Sequence, residues 1–514
     1  REPPRLLGGQ AAALRAHGVG EGTARRLGTD LEGHRRRQDK RLPDVAGLLD
    51  PEQFGVITRP STGFVVVRGS AGSGKTTVAL HRIAWLAYDD AAINSDRCLF
   101  VVFSAALRDY VGHVLPALGV PRAQVRTFRD WAAEQRKRHF PQLPRAIRSD
   151  TPAGVLRLKL HSAMLEILAE QVRTVKAAAT PEQAIDDWSS VFTDLDHLTR
   201  LLDAHAPGEF RSDEVQRIVA WCRDRHDELV AWLEGDRSGK PELDAEDDAL
   251  LLRAWQLRIG PLRHRSGAPL RYRHIALDEV QDFSPLEVRV LLDALDERRS
   301  ITLAGDTQQH VMQESGFTSW AEFFARLGVE GTTVDTLKIS YRCTQEITAF
   351  AIALLGDLRE DAEAPMVTRS GPPVELFEFT DSGAVVAFLA QALDALLREE
   401  PLASVAVLTP NAEVSRTMFD GLQRADIPRL RLVEAQAFTF QPGVEVTEIE
   451  QVKGLEFDYV VLVDVTAQRF PDTAAARRVL HVGATRAVHQ LWLTAVGTVS
   501  PIVREAMSTT IGAR

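Results

Sequence analysis

Cysteine, long apolar runs and net positive charge are all scarce in this 514-residue chain. Cys98, Cys222 and Cys343 are scattered with no metal-ligand spacing, and so few thiols suit a reducing cytoplasm. No apolar run approaches the roughly 20 residues that cross a bilayer, and the N-terminus lacks a signal-peptide core, so no membrane partner is expected. A net charge of −10 and a pI near 5.8 argue against wholesale coating of nucleic acid, while leaving room for a local basic groove. Internal repeats and low-complexity tracts are missing too. The first residue is Arg1 rather than Met, so further residues are expected ahead of it.

The apolar and charged fractions, 45% and 26%, are those of an ordinary soluble protein, and the length calls for roughly three domains. Residues 1–49 are polar, and the basic run "GHRRRQDKR" at Gly33–Arg41 reads as a solvated helix face or linker. "GFVVVRG" and "CLFVVFS" are short, β-branched runs, each followed by a helical pattern, which is the signature of a parallel sheet. From about Phe140 to Arg271 the spacing turns helical, as in "SDEVQRIVAWCRDRHDELVAWLEG", and this region reads as an insertion in the first sheet domain. Strand-like runs return at "HIALD", "SITLAGD", "VAVLT" and "YVVLVDV".

"GSAGSGKT", Gly69–Thr76, fits the phosphate-loop pattern, with a strand before it and a helix after. Its glycines let backbone N–H groups of Gly69, Ser70, Ala71, Gly72, Ser73 and Gly74 turn toward phosphate, and the helix N-terminus adds partial positive charge. Lys75 is expected to reach the β- and γ-phosphates of ATP, and the Thr76 hydroxyl to bind Mg²⁺. Downstream, "IALDEVQDFSP" sets Asp278, Glu279 and Asp282 straight after an apolar run. Asp278 suits the magnesium ion of a bound nucleotide, and Glu279 suits a base that orients and deprotonates the attacking water. These roles leave Asp282 without an assignment.

"DEVQD" resembles motif II of the UvrD/Rep-like superfamily 1 helicases, and further motifs follow that family's order over about residues 44–495. "LDPEQFGVI" resembles the adenine-reading motif, which implies Gln53 as reader. "RTFRDW" resembles the motif that follows the first nucleic-acid contacts. "LAGDTQQ" aligns Gln309 with a γ-phosphate-sensing glutamine. "LKISYRCTQEI" implies that Tyr341 stacks on adenine and Arg342 reaches the γ-phosphate. "VEVTEIEQVKGLEFDYVVL" places Gly454 and Glu456 near the sugar and triphosphate, and "RRVLHVGATRA" makes Arg486 the arginine finger.

The resemblance implies an α/β fold of two RecA-like P-loop parallel-sheet domains with a helical insertion in the first. The expected division is a 1–49 linker, first-domain parts at 50–140 and 261–332, the insertion at 141–260 and a second domain at 333–514. The implied function is an ATPase that moves 3′-to-5′ on single-stranded nucleic acid, DNA first.

Departures qualify this. Thr77 stands where many members carry an arginine, and Ala475 and Ala476 replace a usual acidic pair. Only Cys343–Gly443 separates motifs IV and V, too little for the family's second insertion. The base-stacking aromatics after motif III are replaced by "HVMQESGFTSW", where Phe317 and Trp320 read as core packing before substitutes. "GHVLPALG", "LPDVAGLLDPEQ" and "SGFTSW" are similar to the HelD branch, which implies RNA polymerase as the alternative partner.

Overall fold

The computed structural model describes Leu27 and residues 49–148, 150–236, 238–306, 320–329, 332–359 and 365–512. Six strands, β1 (Phe64–Gly69), β2 (Cys98–Val102), β3 (Gln124–Thr127), β4 (His274–Leu277), β5 (Ile301–Gly305) and β6 (Val334–Leu337), form a sheet in the order β3-β2-β4-β5-β1-β6. Every pairing in it is parallel, for example Val66 opposite Leu303 and Leu99 opposite Ile275. Helices cover both faces of such a sheet, so its central strands can be apolar throughout; β2, β4 and β5 are buried at every position.

After a two-stranded pairing of β7 (Ile339–Ser340) with β8 (Met366–Val367) comes a second parallel sheet. Its strands are β9 (Glu375–Phe379), β10 (Ser404–Thr409), β11 (Leu430–Leu432), β12 (Gly443–Glu448), β13 (Phe457–Leu462) and β14 (Ala487–Val496), in the order β11-β12-β10-β13-β14-β9. Each sheet is therefore the centre of a RecA-like layered domain, and the chain is α/β as expected. One strand falls across the expected boundary at 332/333: β6 pairs with β1, Val66 opposite Val334, and so completes the first sheet. Leu27 is buried among the second domain's apolar residues, with Phe377 and Leu389.

Among the described residues, six helices lie between helix Phe128–His139 and β4, from Ala153–Leu160 to Asp247–Arg258. The first of them is Ala153–Leu160. It breaks at His161, which is extended, and resumes at Met164–Thr174. Buried ion pairs fasten this layer: Arg136 with Asp248, and Lys159 with Asp244 and Asp247 at 2.5 and 2.6 Å. Trp320 is buried beside Phe323 and Phe324, a core position; Phe317 lies outside the described residues. Among the described residues no helix is long and apolar enough to cross a membrane.

Candidate active site

The turn after β1 is shaped by its glycines. Gly72 and Gly74 sit at φ 75 and 86, where a side chain would be strained, and Gly69 has Ser73 Oγ only 2.3 Å from where a Cβ would stand. Helix Lys75–Asp89 starts directly from this turn. Lys75 is buried, and its ammonium donates to the carbonyls of Gly69 and Ser70 at 2.8 and 3.0 Å. The hydroxyls of Ser70 and Ser73 are buried with no hydrogen-bond partner among the described residues, so unspent donors remain in the loop. Thr77 follows on the helix at intermediate exposure.

Asp278 leaves the end of β4 and accepts the Thr76 hydroxyl at 2.5 Å, joining two motifs 202 positions apart. Burial raises the Asp278 carboxyl, and the charge of Glu279 raises it further. Burial would raise Glu279 as well, but Lys75, Lys453, the Gln281 amide and Arg486 outweigh it and hold its carboxyl below the usual range. Gln281 is the positioning group here. Its amide nitrogen donates to Glu279 at 2.6 Å and its oxygen accepts the Asp306 N–H at 3.0 Å, bracing the acid against the end of β5. Glu279 itself lies at φ 55, unusual for a long side chain, at the turn into Val280–Asp282.

The segment after β6 lies against the phosphate loop. Ser340 donates to the Ala71 carbonyl at 2.8 Å, the Tyr341 N–H donates to Gly72 at 3.0 Å, and Arg342 Cβ is 2.3 Å from a Cβ placed on Gly72. The Tyr341 hydroxyl donates to Asp50 at 2.8 Å and is pushed up to about 12 by burial and by that carboxylate. Asp50 caps helix Pro51–Ile57 in a reciprocal box with Gln53, whose amide donates to the Ser73 carbonyl at 2.9 Å. Gln53 and Tyr341 thus converge beside the loop through Asp50, a residue not singled out from sequence although its D-x-x-Q spacing carries a capping signal.

From the second domain, Arg342 pairs with Glu456 at 2.7 Å, and Gly454, at φ 81, packs on Leu107. Arg486 is 1% exposed and donates within its own domain to Val482, Leu455 and Thr485 at 3.0, 3.1 and 3.0 Å. Burial first, then Arg342, brings its guanidinium down to about 10. Gln309 lies outside the described residues. Asp282, unassigned above, meets Lys453 across the cleft: the ammonium is 2.5 Å from both carboxylate oxygens, and both groups are buried.

Comparison with known proteins follows the same outline. Residues 49–313 match the model of the UvrD/REP helicase N-terminal domain, and residues 443–494 that of the UvrD-like helicase C-terminal domain. The chain belongs to the UvrD/Rep helicase family. Proteins named ATP-dependent DNA helicase UvrD2, from Mycobacterium bovis and Mycobacterium tuberculosis, are 26% identical over 407 residues, 75% of this chain and 55% of theirs. The chain thus spans about half the length of these curated relatives. A solved structure titled as the C-terminal domain of a possible DNA helicase from Lactobacillus plantarum WCFS1 is 26% identical, covering 32% of this chain and 94% of that one, with a TM-score of 0.26. Gln281, Asp306 and Lys453 also gather here; all three lie inside stretches quoted from the sequence, and none has a role assigned there.

Proposed function

We propose that this chain is an ATP-driven nucleic-acid motor of UvrD/Rep type, moving 3′-to-5′ on single-stranded DNA. The carrying observation is the Thr76–Asp278 hydrogen bond with Glu279 beside it, under cations from both domains. ATP fits the loop: glycine backbone, unspent Ser70 and Ser73 donors and Lys75 together form an anion cradle. One hydroxyl and one carboxylate, Thr76 and Asp278, are the donor set for Mg²⁺ held mainly through phosphates, and no group of three acidic, His or Cys ligands occurs among the described residues. Mg²⁺ supplies charge neutralisation at the transferring phosphoryl group.

The residues divide the remaining work. Glu279, ionised and fixed by Gln281, accepts the proton of the attacking water. Lys75 and the loop N–H groups bind the phosphates. Gln53 and Tyr341 border the base position, with Gly454 and Glu456 toward the sugar. Gln309 senses the γ-phosphate. Arg342 and Arg486 stabilise transition-state charge once released from their present partners. Two of these cations belong to the second domain, so hydrolysis and cleft movement are coupled. The relatives' shared name, DNA helicase, supports this reading.

A second reading rests on the short stretch Cys343–Gly443 between motifs IV and V, together with the retained helical layer. It is a HelD-like ATPase that binds RNA polymerase and releases it from nucleic acid, touching it through the region Gly154–Trp255. Hydrolysis rates decide between the two. Strong stimulation by single-stranded DNA supports the motor, and stimulation only by RNA polymerase supports the second reading and rejects the first.

A further inference from the structure

Helix Pro51–Ile57, which carries Gln53, is seven residues long, and a helix that short holds its place only through its neighbours. Asp50 fixes its N-terminal end, accepting the Gln53 N–H at 2.8 Å. At the other end no basic residue stands in the last turn, so its final carbonyls need partners from elsewhere. Arg82 supplies them. It lies on helix Lys75–Asp89, which starts from the phosphate loop, and is 1% exposed. Its Nη1 shares its donors among the carbonyls of Val56, Ile57 and Arg59 at 3.3, 3.1 and 2.7 Å, and Nη2 donates to Pro60 at 2.7 Å. Its Nε donates to the hydroxyl of Thr302, fully buried on β5, at 3.1 Å.

Burying a guanidinium is costly, and burial first, then the charge of Arg59, brings Arg82 down to about 10. Among the described residues no carboxylate pairs with it, so four carbonyls and one hydroxyl offset the whole charge. Only the five-donor fork of arginine spans that set; a lysine ammonium is a point with three donors. The Arg59 side chain in turn pairs with Asp335 on β6 at 2.6 Å. Helix Pro51–Ile57 is thereby tied to β5 and β6, the two strands that flank β1 and its phosphate loop. There is no slack between helix and loop: a Cβ on Gly74 would stand 2.7 Å from Gln53 Nε2.

We propose that Arg82 is a positioning residue for nucleobase selection, holding helix Pro51–Ile57 at the depth where Gln53 reads the base edge. Adenine offers a donor at N6 beside an acceptor at N7, whereas guanine offers two acceptors there, O6 and N7. A side-chain amide tells them apart only if its oxygen and nitrogen are held in fixed places. Gln53 is held in this way: its Nε2 donates to the Ser73 carbonyl at 2.9 Å, and its Oε1 accepts the Asp50 N–H at 3.3 Å. Each group keeps one further hydrogen-bonding site. Asp50 also accepts the Tyr341 hydroxyl at 2.8 Å, so a shift of this helix moves both residues beside the base. Lys75 and the loop N–H groups bind phosphate without help from Arg82. Its loss therefore acts on the base and spares the triphosphate.

This inference rests on the reading of Gln53 as the adenine contact, and the experiment separates the two. Titrations on the full chain would give dissociation constants for ATP, GTP and inorganic tripolyphosphate, with steady-state hydrolysis of ATP alongside. Arg82→Lys and Arg82→Gln should each weaken ATP about tenfold and leave tripolyphosphate within about twofold of the parent. KM should rise with kcat nearly unchanged, and the preference for ATP over GTP should fall. Thr302→Val keeps the guanidinium and removes only its Nε acceptor, so it carries the same test more gently, with a loss of about threefold. Thr302→Ser, which keeps a hydroxyl, should match the parent. Equal weakening of ATP and tripolyphosphate, or an unchanged preference for ATP over GTP, would overturn the role of Arg82. If Gln53→Ala abolishes that preference while the Arg82 variants keep it, the adenine contact stands and Arg82 alone is rejected. A parent chain that binds ATP and GTP equally would overturn both.

Discussion

Glu279 is fixed by geometry that a glutamine can reproduce, since its contact with Gln281 uses one oxygen as acceptor. Glu279→Gln should therefore keep the turn and nucleotide affinity while removing the base. Turnover should fall about a hundredfold or more, with the nucleotide dissociation constant within about threefold of the parent. Titration with a fluorescent nucleotide beside steady-state hydrolysis checks this, and hydrolysis within threefold of the parent would remove Glu279 from the role. A different residue contributes to the acid side of stability. His274 is fully buried on β4, bonded to Ser300 at 2.8 Å, and burial, then Arg82, lowers it to about 3. In the unfolded chain the same imidazole takes its proton near 6.5. Between those values the unfolded state holds the extra proton, so the stability tied to His274 is complete above about pH 6.5. It declines by about 1.4 kcal/mol per pH unit as the pH falls toward 3. Urea midpoints measured from pH 7 to 4.5 should drop accordingly, with a shallower slope in His274→Gln. An unchanged slope would assign the acid lability to other groups.

The domains meet through small elements, and the turn Val280–Asp282 carries charge across. Lys453, directly after the turn Ile449–Val452, closes on Asp282 with 5% and 0% of the two side chains exposed. Lys453→Met leaves a carboxylate buried without its cation and should cost about 3–5 kcal/mol, whereas pairing it with Asp282→Asn removes both charges and should recover most of that loss. Equal denaturation midpoints for the single and the double variant would show that the pair is not coupled. The same contact marks the limit of what the sequence discloses. The phosphate loop and the Asp278–Glu279 pair are legible because their chemistry needs neighbouring residues. β1, β2, β4, β5, β10 and β13 are legible as short apolar runs. β14, Ala487–Val496, was not read as a strand, because His489 and Gln490 dilute its apolar pattern and it begins within the Arg486 motif. A contact such as that of Asp282 with Lys453 joins residues from different domains, and nothing local in either stretch announces it.

For the whole molecule, grip on nucleic acid decides what hydrolysis can accomplish. Stacking contributes about 1–3 kcal/mol per base, and the stretch after motif III, "HVMQESGFTSW", is poor in the aromatics that would supply it. Only Cys343–Gly443 separates motifs IV and V, and Trp320 is committed to packing with Phe324. A net charge of −10 provides no general attraction for a polyanion, so the remaining hold must come from local phosphate contacts, which weaken steeply as salt rises. The expected behaviour is ATP hydrolysis without effective strand separation: a 3′-tailed duplex should stay largely paired at physiological ionic strength. Binding of single strands should tighten sharply when salt is lowered to about 50 mM. A strand-displacement assay with ATP, run at both salt concentrations, tests this directly. Efficient ATP-dependent unwinding at the higher salt would mean that the chain holds more of the strand than a few phosphates.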